Sequence, residues 1–483
     1  MKVMLRELLP EEVDLPELLV QGITGDSRKI KPGDLFVAVQ GLNVDGRQFI
    51  GDADKRQAVG VLCEPPAPTV NTRIPVFEIE NLKSRTGAIA SRFFGEPSSQ
   101  LVVVAITGTN GKTSCSHFIA QALSSLEFKC GIVGTLGYGV PGALSESLMT
   151  TPDSIDLQGH LAYLVEMNCK AVTLEASSHG LEQGRLNGTA VDTAIFTNIT
   201  RDHLDYHESF QDYQEAKRIL FTRSELKTAI INIDDEFWEV LRESVGEDVK
   251  IYTTSTHLRD ADVHCQNICL NENGMSFQLI SPWGEAPIAS SLMGEFNISN
   301  LLLTAAFLGS RGYSLTDIVT ALSNCGAVKG RMEVLHNDNQ PTVVIDYAHT
   351  PDALEKALQA TREHCKGELW CIFGCGGDRD KGKRPEMGEI ASKLADHIMI
   401  TDDNPRSESS AAIASDVFRG VISGSDTEVE TNRRLAIEKV MARAAPYDVV
   451  LIAGKGHEEY QEVKGQKLAF SDHEVVREFV SKN

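Results

Sequence analysis

The stretch LVVVAITGTNGKTSCSHFIAQAL, residues 101–123, constrains this chain more than any other. Its apolar, β-branched opening reads as a strand buried on both faces, which gives way at Gly108 to a short glycine loop and then a helix. A strand that feeds a helix this tightly is one arm of a βαβ unit, so the surrounding chain is committed to a mainly parallel sheet covered by helices. The loop also carries chemistry. Gly108 and Gly111 let backbone N–H groups crowd around phosphate at a helix N-terminus. Lys112 has the reach for β- and γ-phosphates, and the Thr113 hydroxyl can ligate Mg²⁺. Ile106 stands where the full Walker pattern carries its first glycine, so this is a shortened GxxGKT loop. A plain glycine turn is the bland alternative. Lys-Thr placed directly after an apolar strand favours ATP or GTP binding instead.

The alternation continues along the chain and divides it into three segments, 1–92, 93–330 and 331–483. The first carries short strand-like pieces (DLFVAV, AVGVLCE, IPVFEIE) after a turn-rich GITGDSRKIKPGD. The second adds AVTLEAS, AIFTNI and TAIINID to the phosphate-loop strand. The third alternates TVVIDY, PDALEKALQATREH, LWCIFG, PEMGEIASKLA, HIMIT and DVVLIAG. In open α/β sheets ligands bind beyond the carboxyl ends of the strands. The unusual polar loops sit there: TGTNGKT, EASSHG and NITRDHLDYH in the middle segment, and DYAHTP, GCGGDRDKGKR, DDNPR and GKGHE in the last. Each sheet is therefore expected to carry a polar, ligand-binding edge.

Charge and cysteine usage narrow the partners. A net charge of −22 argues against a general nucleic-acid surface, so an anionic ligand must be held by local donors. The ten cysteines are scattered without a CxxC pair and read as reduced, buried thiols of a cytoplasmic protein. The opening MKVMLRELLPEEVDLPELL is broken by acids and proline and does not read as a signal peptide. No apolar run approaches the ~20 residues needed to span a bilayer, so no membrane insertion is expected.

Mg-nucleotide chemistry needs hard oxygen ligands, and Glu175, at the end of AVTLEASS, is the foremost candidate; a solvent-facing strand-end acid is the alternative. His203 and His207 in DHLDYH have a spacing that could clamp zinc, but the HExxH glutamate is missing, and a single histidine at a Mg²⁺ or phosphate site is the preferred reading. In SFQDYQEAKRILF, a helix capped by Ser209 carries Lys217. Pattern alone makes it a surface lysine. Near a metal, a deprotonated lysine could add CO₂ and become a carbamate. In TDDNPRSE, turn chemistry accounts for Asp402 to Pro405 but leaves Arg406 unexplained.

Taken together, TGTNGKTS, TTPDS, EASSHGLEQGR, TNITRDHLDYH with EAKRILF, GEFNISN, GRMEV, DYAHTPDAL, GCGGDRDKGKRP, TDDNPR and AGKGHE occur in the order found in bacterial Mur ligases. The resemblance spans essentially the whole chain. It implies a three-domain α/β architecture: a small UDP-binding N-terminal domain, a P-loop-type central ATPase with a mainly parallel sheet, and a C-terminal Rossmann-like domain that brings the amino acid. It implies a monomeric ligase of peptidoglycan-precursor synthesis, using ATP and Mg²⁺ to add meso-diaminopimelate to UDP-N-acetylmuramoyl-L-alanyl-D-glutamate. A free carboxylate is a poor acyl donor; γ-phosphoryl transfer makes an acyl phosphate that an amine can attack.

Carried over position by position, the resemblance puts Gly108, Thr109, Asn110, Gly111, Lys112, Thr113 and Ser114 on ATP. Thr113, Glu175, His203 and Lys217, the last as a carbamate, go to the magnesium environment. Asn297 matches the adenine and ribose contacts, Arg331 an interdomain phosphate contact and Asp346 an ATP-side acid, with His349 a weaker candidate. For the UDP-sugar dipeptide it points to Gly25, Ser27, the Leu42–Asn43–Val44 loop, Thr150, Thr151, Ser177, Gln183 and Arg185. At Gly25 relatives carry a side chain, so only a backbone contact is expected there. For meso-diaminopimelate it points to Arg379, Asp403, Asn404, Pro405, Arg406, Gly454 and Glu458. Arg406 would grip the distal carboxylate that L-lysine lacks, and an unpaired Arg406 would disfavour lysine.

Three other readings compete. An L-lysine-adding relative differs at the DNPR loop. Folylpolyglutamate synthetase shares the ATP loop and the lysine helix but needs neither GDSR nor DNPR. A regulatory P-loop NTPase leaves the polar edge of the last segment unused.

Overall fold

A computed structural model describes residues 2–41, 44–147, 149–204, 206–271, 274–335 and 340–482. Two compact units emerge, Met1–Val263 with Leu303–Tyr313, and His264–Leu302 with Ser314–Asn483.

In the first unit the N-terminal strands Gly22–Thr24, Asp34–Ala38, Gly60–Cys63 and Val76–Glu78 form a four-stranded parallel sheet in that order. The last three are the strand-like pieces that the sequence marks, trimmed to their apolar centres, whereas Gly22–Thr24 lies in the stretch read as turn-rich. The helix Leu82–Phe93 covers one face, burying Leu82, Ile89, Ala90 and Phe93 against Leu35, Val37 and Leu62. Each such fully buried side chain contributes about 1.5–3 kcal/mol. Gly87 on this helix lies so close to the loop after residue 184 that a Cβ there would meet the Asn187 carbonyl at 1.8 Å. Only glycine permits that backbone-to-backbone contact, which ties the small sheet to the loop holding Arg185.

The larger sheet of this unit runs Ala143–Ser145, Gly137–Val140, Cys130–Gly134, Ala171–Glu175, Val102–Thr107, Thr193–Phe196, Thr228–Asn232, Lys250–Ser255. The first two strands are antiparallel additions; the remainder pair in parallel. The phosphate-loop strand is central, buried from Val103 to Thr107, as the apolar run requires. Its neighbours lie on opposite sides in chain order, with Glu175 paired to Ile106 and Phe196 to Thr107. The loops after all three strands thus emerge together at a point where the winding reverses, which is where such sheets bind ligands.

The second unit holds an antiparallel meander, Val263–Asn271, Gly274–Ser281 and Gly284–Ser290. Its strands alternate in burial, and their mixed composition carries no strong apolar run that would mark them in the sequence. Beside it stands a six-stranded sheet ordered Glu333–Leu335, Thr342–Asp346, Val449–Ala453, Leu369–Phe373, His397–Ile400, Asp426–Val429. All but the first strand are parallel. Helices Pro351–Glu363, Lys383–Leu394 and Ser410–Phe418 bury one face, including Leu354, Leu358, Met387 and Val417. Arg433–Met441 and Asp472–Lys482 bury the other, including Ile437, Val440 and Val475. Asp346, Phe373, Ile400 and Ala453 end four of these strands, so the four polar loops share one edge.

Candidate functional site

The phosphate loop turns on two left-handed glycines, Gly108 at φ +148° and Gly111 at φ +85°, the latter capping the helix Lys112–Ser125. A Cβ on Gly108 would sit 1.9 Å from Thr197 Oγ1, so the close approach excludes any side chain. The loop is braced by the segment after the strand Thr193–Phe196. Thr197 Oγ1 donates to Asn110 O at 2.6 Å, Asn110 N–H donates to Asn198 Oδ1 at 3.0 Å, and Thr109 Oγ1 lies 2.9 Å from the Tyr213 hydroxyl. Lys112 folds over the loop, donating to the carbonyls of Gly108 and Thr109, both at 2.8 Å. Thr113 and Ser114 lie in the first helical turn.

Glu175, 1% exposed, is the hub of the strand ends. Its Oε2 accepts from Thr113 Oγ1 at 2.9 Å and from Thr135 Oγ1 at 3.0 Å, and its Oε1 accepts from Thr135 N–H at 2.9 Å. Thr135 was invisible as a site residue in the sequence, since a lone threonine after a glycine carries no pattern. It links this carboxylate to Thr150, whose hydroxyl is 3.0 Å away. Thr151 Oγ1 donates to Glu175 O at 2.6 Å and lies 2.9 Å from Ser177 Oγ. Ser177 also caps the short helix Ser178–Glu182. Arg185 donates to Thr151 O at 2.6 Å and through Nε and Nη2 to Gln183 Oε1 at 3.1 and 2.7 Å. Thr150, Thr151, Ser177, Gln183 and Arg185 therefore form one connected patch beside Glu175.

Lys217 is 1% exposed, against the expectation of pattern alone. The helix Phe210–Arg218, capped by Ser209, aims it inward, where Nζ donates to Gly108 O at 2.8 Å and lies 4.4 Å from the Tyr213 ring centre. Burial, reinforced by the charge of Lys112, pushes its ammonium well below the ordinary lysine pKa. Lowering that pKa favours the neutral, nucleophilic form of the amine. His203, at φ +53°, ends a single turn with His207, and the two are not presented on one helix face. His207 is buried with Nε2 2.9 Å from Ser178 Oγ, while the half-exposed His203 ring packs 4.9 Å from His179. That geometry does not make the zinc clamp that the i, i+4 spacing allowed. Among the described residues no three His, Cys, Asp or Glu side chains gather into a metal cluster. The Thr113 hydroxyl and the Glu175 carboxylate nevertheless fit Mg²⁺, which takes one or two protein oxygens and fills its shell with phosphate and water.

In the N-terminal sheet, Ser27 with Arg28, Phe49, Asp52, Lys55 and Arg56 lines an open cleft of about 340 Å³. Gly25 is exposed, its Cβ direction 3.6 Å from Ile155, and Lys29 pairs with Asp156 at 3.2 Å. The GDSR turn therefore rests on the helix that begins just after Thr150 and Thr151. Val44 is exposed; Leu42 and Asn43 lie outside the described residues.

In the second unit, Asn297 is buried and donates to Met293 O at 2.8 Å at the start of its helix. Arg331 stacks 4.5 Å over the Tyr347 ring, and Asp346 accepts from the backbone N–H groups of Met332 and Ala348, both at 2.8 Å. Burial outweighs the nearby Arg331 charge and raises the Asp346 carboxyl above its usual range. His349 is exposed, with Nδ1 2.8 Å from Tyr347 O.

The DNPR turn packs against the hairpin Tyr460–Val463/Gln466–Ala469. Arg406, at φ +50°, bridges to Val463, with its N–H on Glu462 O at 2.9 Å and its carbonyl accepting from Lys464 N–H at 2.7 Å. Such a left-handed non-glycine residue costs about 1–3 kcal/mol and persists only where its surroundings fix it. The strain aims the guanidinium: Nε donates to Glu462 Oε2 at 3.1 Å and Nη1 to Gly377 O at 2.8 Å. Asn404 and Glu458 meet directly, Nδ2 donating to Oε2 at 2.9 Å, and Gly454, at φ +113°, leaves space facing Asp403. Arg379 is exposed, its Nη1 on Asp378 O at 3.3 Å, and Pro405 is buried. Asp403, Asn404, Arg406, Gly454 and Glu458 thus converge, with Arg379 at the rim.

Three buried cations here were not singled out from the sequence. Lys455, fully buried, lies between Glu458 and Asn404. Arg384 binds Glu408 and Asp416. Arg433 pairs with Asp472 through two bonds of 2.7 and 2.8 Å and also donates to Ala453 O at 3.0 Å and Asp402 O at 3.3 Å, tying together the bases of two site loops. The lysine in GKGHE after an apolar strand was a usable signal; the two arginines had none.

Three family models match the chain: "Mur ligase family, catalytic domain" over 19–94, "Mur ligase middle domain" over 106–308 and "Mur ligase, glutamate ligase domain" over 330–456. Two curated relatives carry the name UDP-N-acetylmuramoyl-L-alanyl-D-glutamate--2,6-diaminopimelate ligase. The one from Pseudomonas syringae pv. tomato is 45% identical over 94% of each chain. The one from Pseudomonas aeruginosa is 45% identical over 98% of this chain and 97% of its own. A solved structure bearing the same ligase name superposes with a TM-score of 0.76 at 36% identity, covering 100% of this chain and 99% of that one.

Proposed function

The chain belongs to the Mur ligase family, and from that premise we propose that it uses ATP to join meso-diaminopimelate to UDP-N-acetylmuramoyl-L-alanyl-D-glutamate through an acyl phosphate. The observation that carries the reading is the buried, neutral-leaning amine of Lys217 set against the phosphate loop, 2.8 Å from Gly108 O. A regulatory NTPase has no use for that group.

The backbone N–H groups of Gly108 to Thr113 and the following helix N-terminus hold the triphosphate, and Lys112 swings from its own loop carbonyls to the phosphate oxygens. Thr113 and Glu175, with His203 and a carbamylated Lys217 nearby, would hold Mg²⁺, which would supply charge screening at the phosphates. Lys217 reaches its carbamate when the neutral Nζ forms a bond to the carbon of CO₂; one C=O π pair moves onto oxygen, and one N–H proton is released. That exchange turns a cation into a carboxylate where the hard-oxygen set is otherwise sparse. Thr150, Thr151, Ser177, Gln183 and Arg185 orient the dipeptide, with the Arg185 fork suited to a carboxylate or phosphate. The GDSR turn and the cleft around Ser27 take the UDP moiety. Asn297 of the central domain, and Arg331 and Asp346 of the C-terminal domain, serve the nucleotide. Arg406 takes the distal carboxylate of meso-diaminopimelate, and Asp403 and Glu458 take its ammonium. We read the domains as 1–92, 93–330 and 331–483, a reading supported by the three separate family-model matches. No helix among the described residues is long and apolar enough to cross a membrane. A cytoplasmic setting is supported by the substrates' chemistry.

The test is ADP release by the full chain with ATP, Mg²⁺, the UDP-muramoyl dipeptide and an amino-acid panel. Turnover is expected only with all components present and with meso-diaminopimelate ahead of L-lysine. ATP turnover that ignores the dipeptide or the amino acid overturns the reading.

A further inference from the structure

Lys455 is 0% exposed, and its Nζ donates to Glu458 Oε2 at 2.9 Å and to Asn404 Oδ1 at 3.1 Å, with Asp403 Oδ1 at 3.7 Å. The Asn404 amide is thereby fixed in one orientation. Its oxygen faces Lys455 and also accepts from Glu462 N–H at 2.9 Å, while its nitrogen faces Glu458. The partners, unlike Lys455, retain some exposure: the side chains of Asp403 and Glu458 are 10% and 16% accessible. Lys455 therefore acts on any ligand only through them. Burial alone would raise the Glu458 carboxyl, but the adjacent Lys455 charge reverses this and holds it below the ordinary range.

The charge balance gives this arrangement a consequence. Asp403, Glu458 and Glu462 supply three carboxylates; the buried Lys455 lies against the first two, Arg406 is already paired with Glu462, and the nearby Arg433 is paired with Asp472. A distal group bearing both an ammonium and a carboxylate brings no net charge to this cluster, whereas a bare ammonium brings one positive charge. An internal cation that cancels Glu458 removes the surplus acidity a bare ammonium would otherwise exploit.

Building on the pocket assignment above, we propose that Lys455 is a positioning residue that sets amino-acid selectivity, neutralising Glu458 and locking Asn404 so that the pocket refuses a side chain ending in an ammonium alone. Arg406 supplies the attraction for the distal carboxylate; Lys455 supplies the rejection of its absence.

The experiment compares kcat/KM for meso-diaminopimelate and L-lysine in the full-length wild type, Lys455→Met and Lys455→Arg. Lys455→Met is expected to lower the meso-diaminopimelate preference by about tenfold or more, and Lys455→Arg to hold it within about threefold. A parallel rise in both KM values with an unchanged ratio, as a purely structural lysine would give, overturns the proposal. If Lys455→Met does not fold, Glu458→Gln leaves the lysine charge uncancelled and is expected to raise the preference; an unchanged or lowered ratio overturns the proposal instead. A wild type with no preference for meso-diaminopimelate overturns the pocket assignment itself. A preferring wild type with an indifferent Lys455→Met overturns only the role of Lys455.

Discussion

The buried amine of Lys217 donates a hydrogen bond to the carbonyl of Gly108, 2.8 Å away across 109 residues of chain. The contact places a nucleophilic nitrogen at the turn that cradles phosphate, and it makes the lysine part of the loop's own structure. Lys217→Ala is expected to lower ligase activity by about 100-fold or more. Added acetate or propionate should restore part of it by occupying the place of the carbamate. The absence of rescue across a range of short carboxylates would remove the carbamate from the mechanism. Because the folded-state pKa of Lys217 is depressed, the native chain binds fewer protons than the unfolded one below the ordinary lysine range. Its contribution is thus most favourable above that range and declines as pH falls through the folded value. Lys217→Met should flatten that part of a stability–pH profile measured by chemical denaturation.

Lys112 donates to two carbonyls of its own loop, those of Gly108 and Thr109. Lys112→Ala should therefore leave global stability within about 1 kcal/mol while reducing turnover by about 1,000-fold, the scale of losing a cation on a transferring phosphoryl group. Denaturation midpoints measured beside ADP release check both halves, and retained turnover would take Lys112 out of the phosphate site.

Arg406 spends Nε and Nη1 on Glu462 and Gly377, and no protein partner holds Nη2 among the described residues. Arg406→Ala should raise the KM for meso-diaminopimelate by about 10- to 100-fold, corresponding to a lost charge-assisted contact of about 1.5–3 kcal/mol. The KM for ATP should move little. Equal shifts in both constants would place Arg406 outside the amino-acid pocket.

Glu408 anchors the loop after Arg406, accepting from Arg384 at 3.1 and 2.8 Å and from Asp378 N–H at 2.7 Å. The Arg384 guanidinium draws its carboxyl down to about 2 from an ordinary 4.5. A carboxylate lowered in the fold contributes stability that is complete above pH 4.5 and disappears as pH falls towards 2. Glu408→Gln should lose acid resistance over that window and leave the slope above it unchanged, as read from urea midpoints at a series of pH values. Arg384→Met should lower stability at neutral pH, because it removes the cation shared by Glu408 and Asp416.

Much of the architecture was written locally. The apolar strand runs, the glycines at Gly108 and Gly111, and Ser209 as the cap of the Lys217 helix are short-range features. Strand, turn and cap each depend on residues within a few positions, so sequence alone determined them. The order of loops along the chain likewise announced a polar sheet edge. The family resemblance then named the residues on it, Glu175 and Arg406 included.

Tertiary structure decided what charge and burial those residues have. Lys217 looks like any helix-surface lysine until the helix is set against the phosphate loop. Thr135 becomes a partner of Glu175 only because parallel pairing brings their strand ends together, and Lys455 becomes an internal cation only when DNPR and GKGHE emerge from one sheet edge. Arg384 and Arg433 carry no local signal at all, since their carboxylate partners lie 24 to 39 residues away. Desolvation and Coulomb energies depend on distance in space, and the sequence states distance only along the chain.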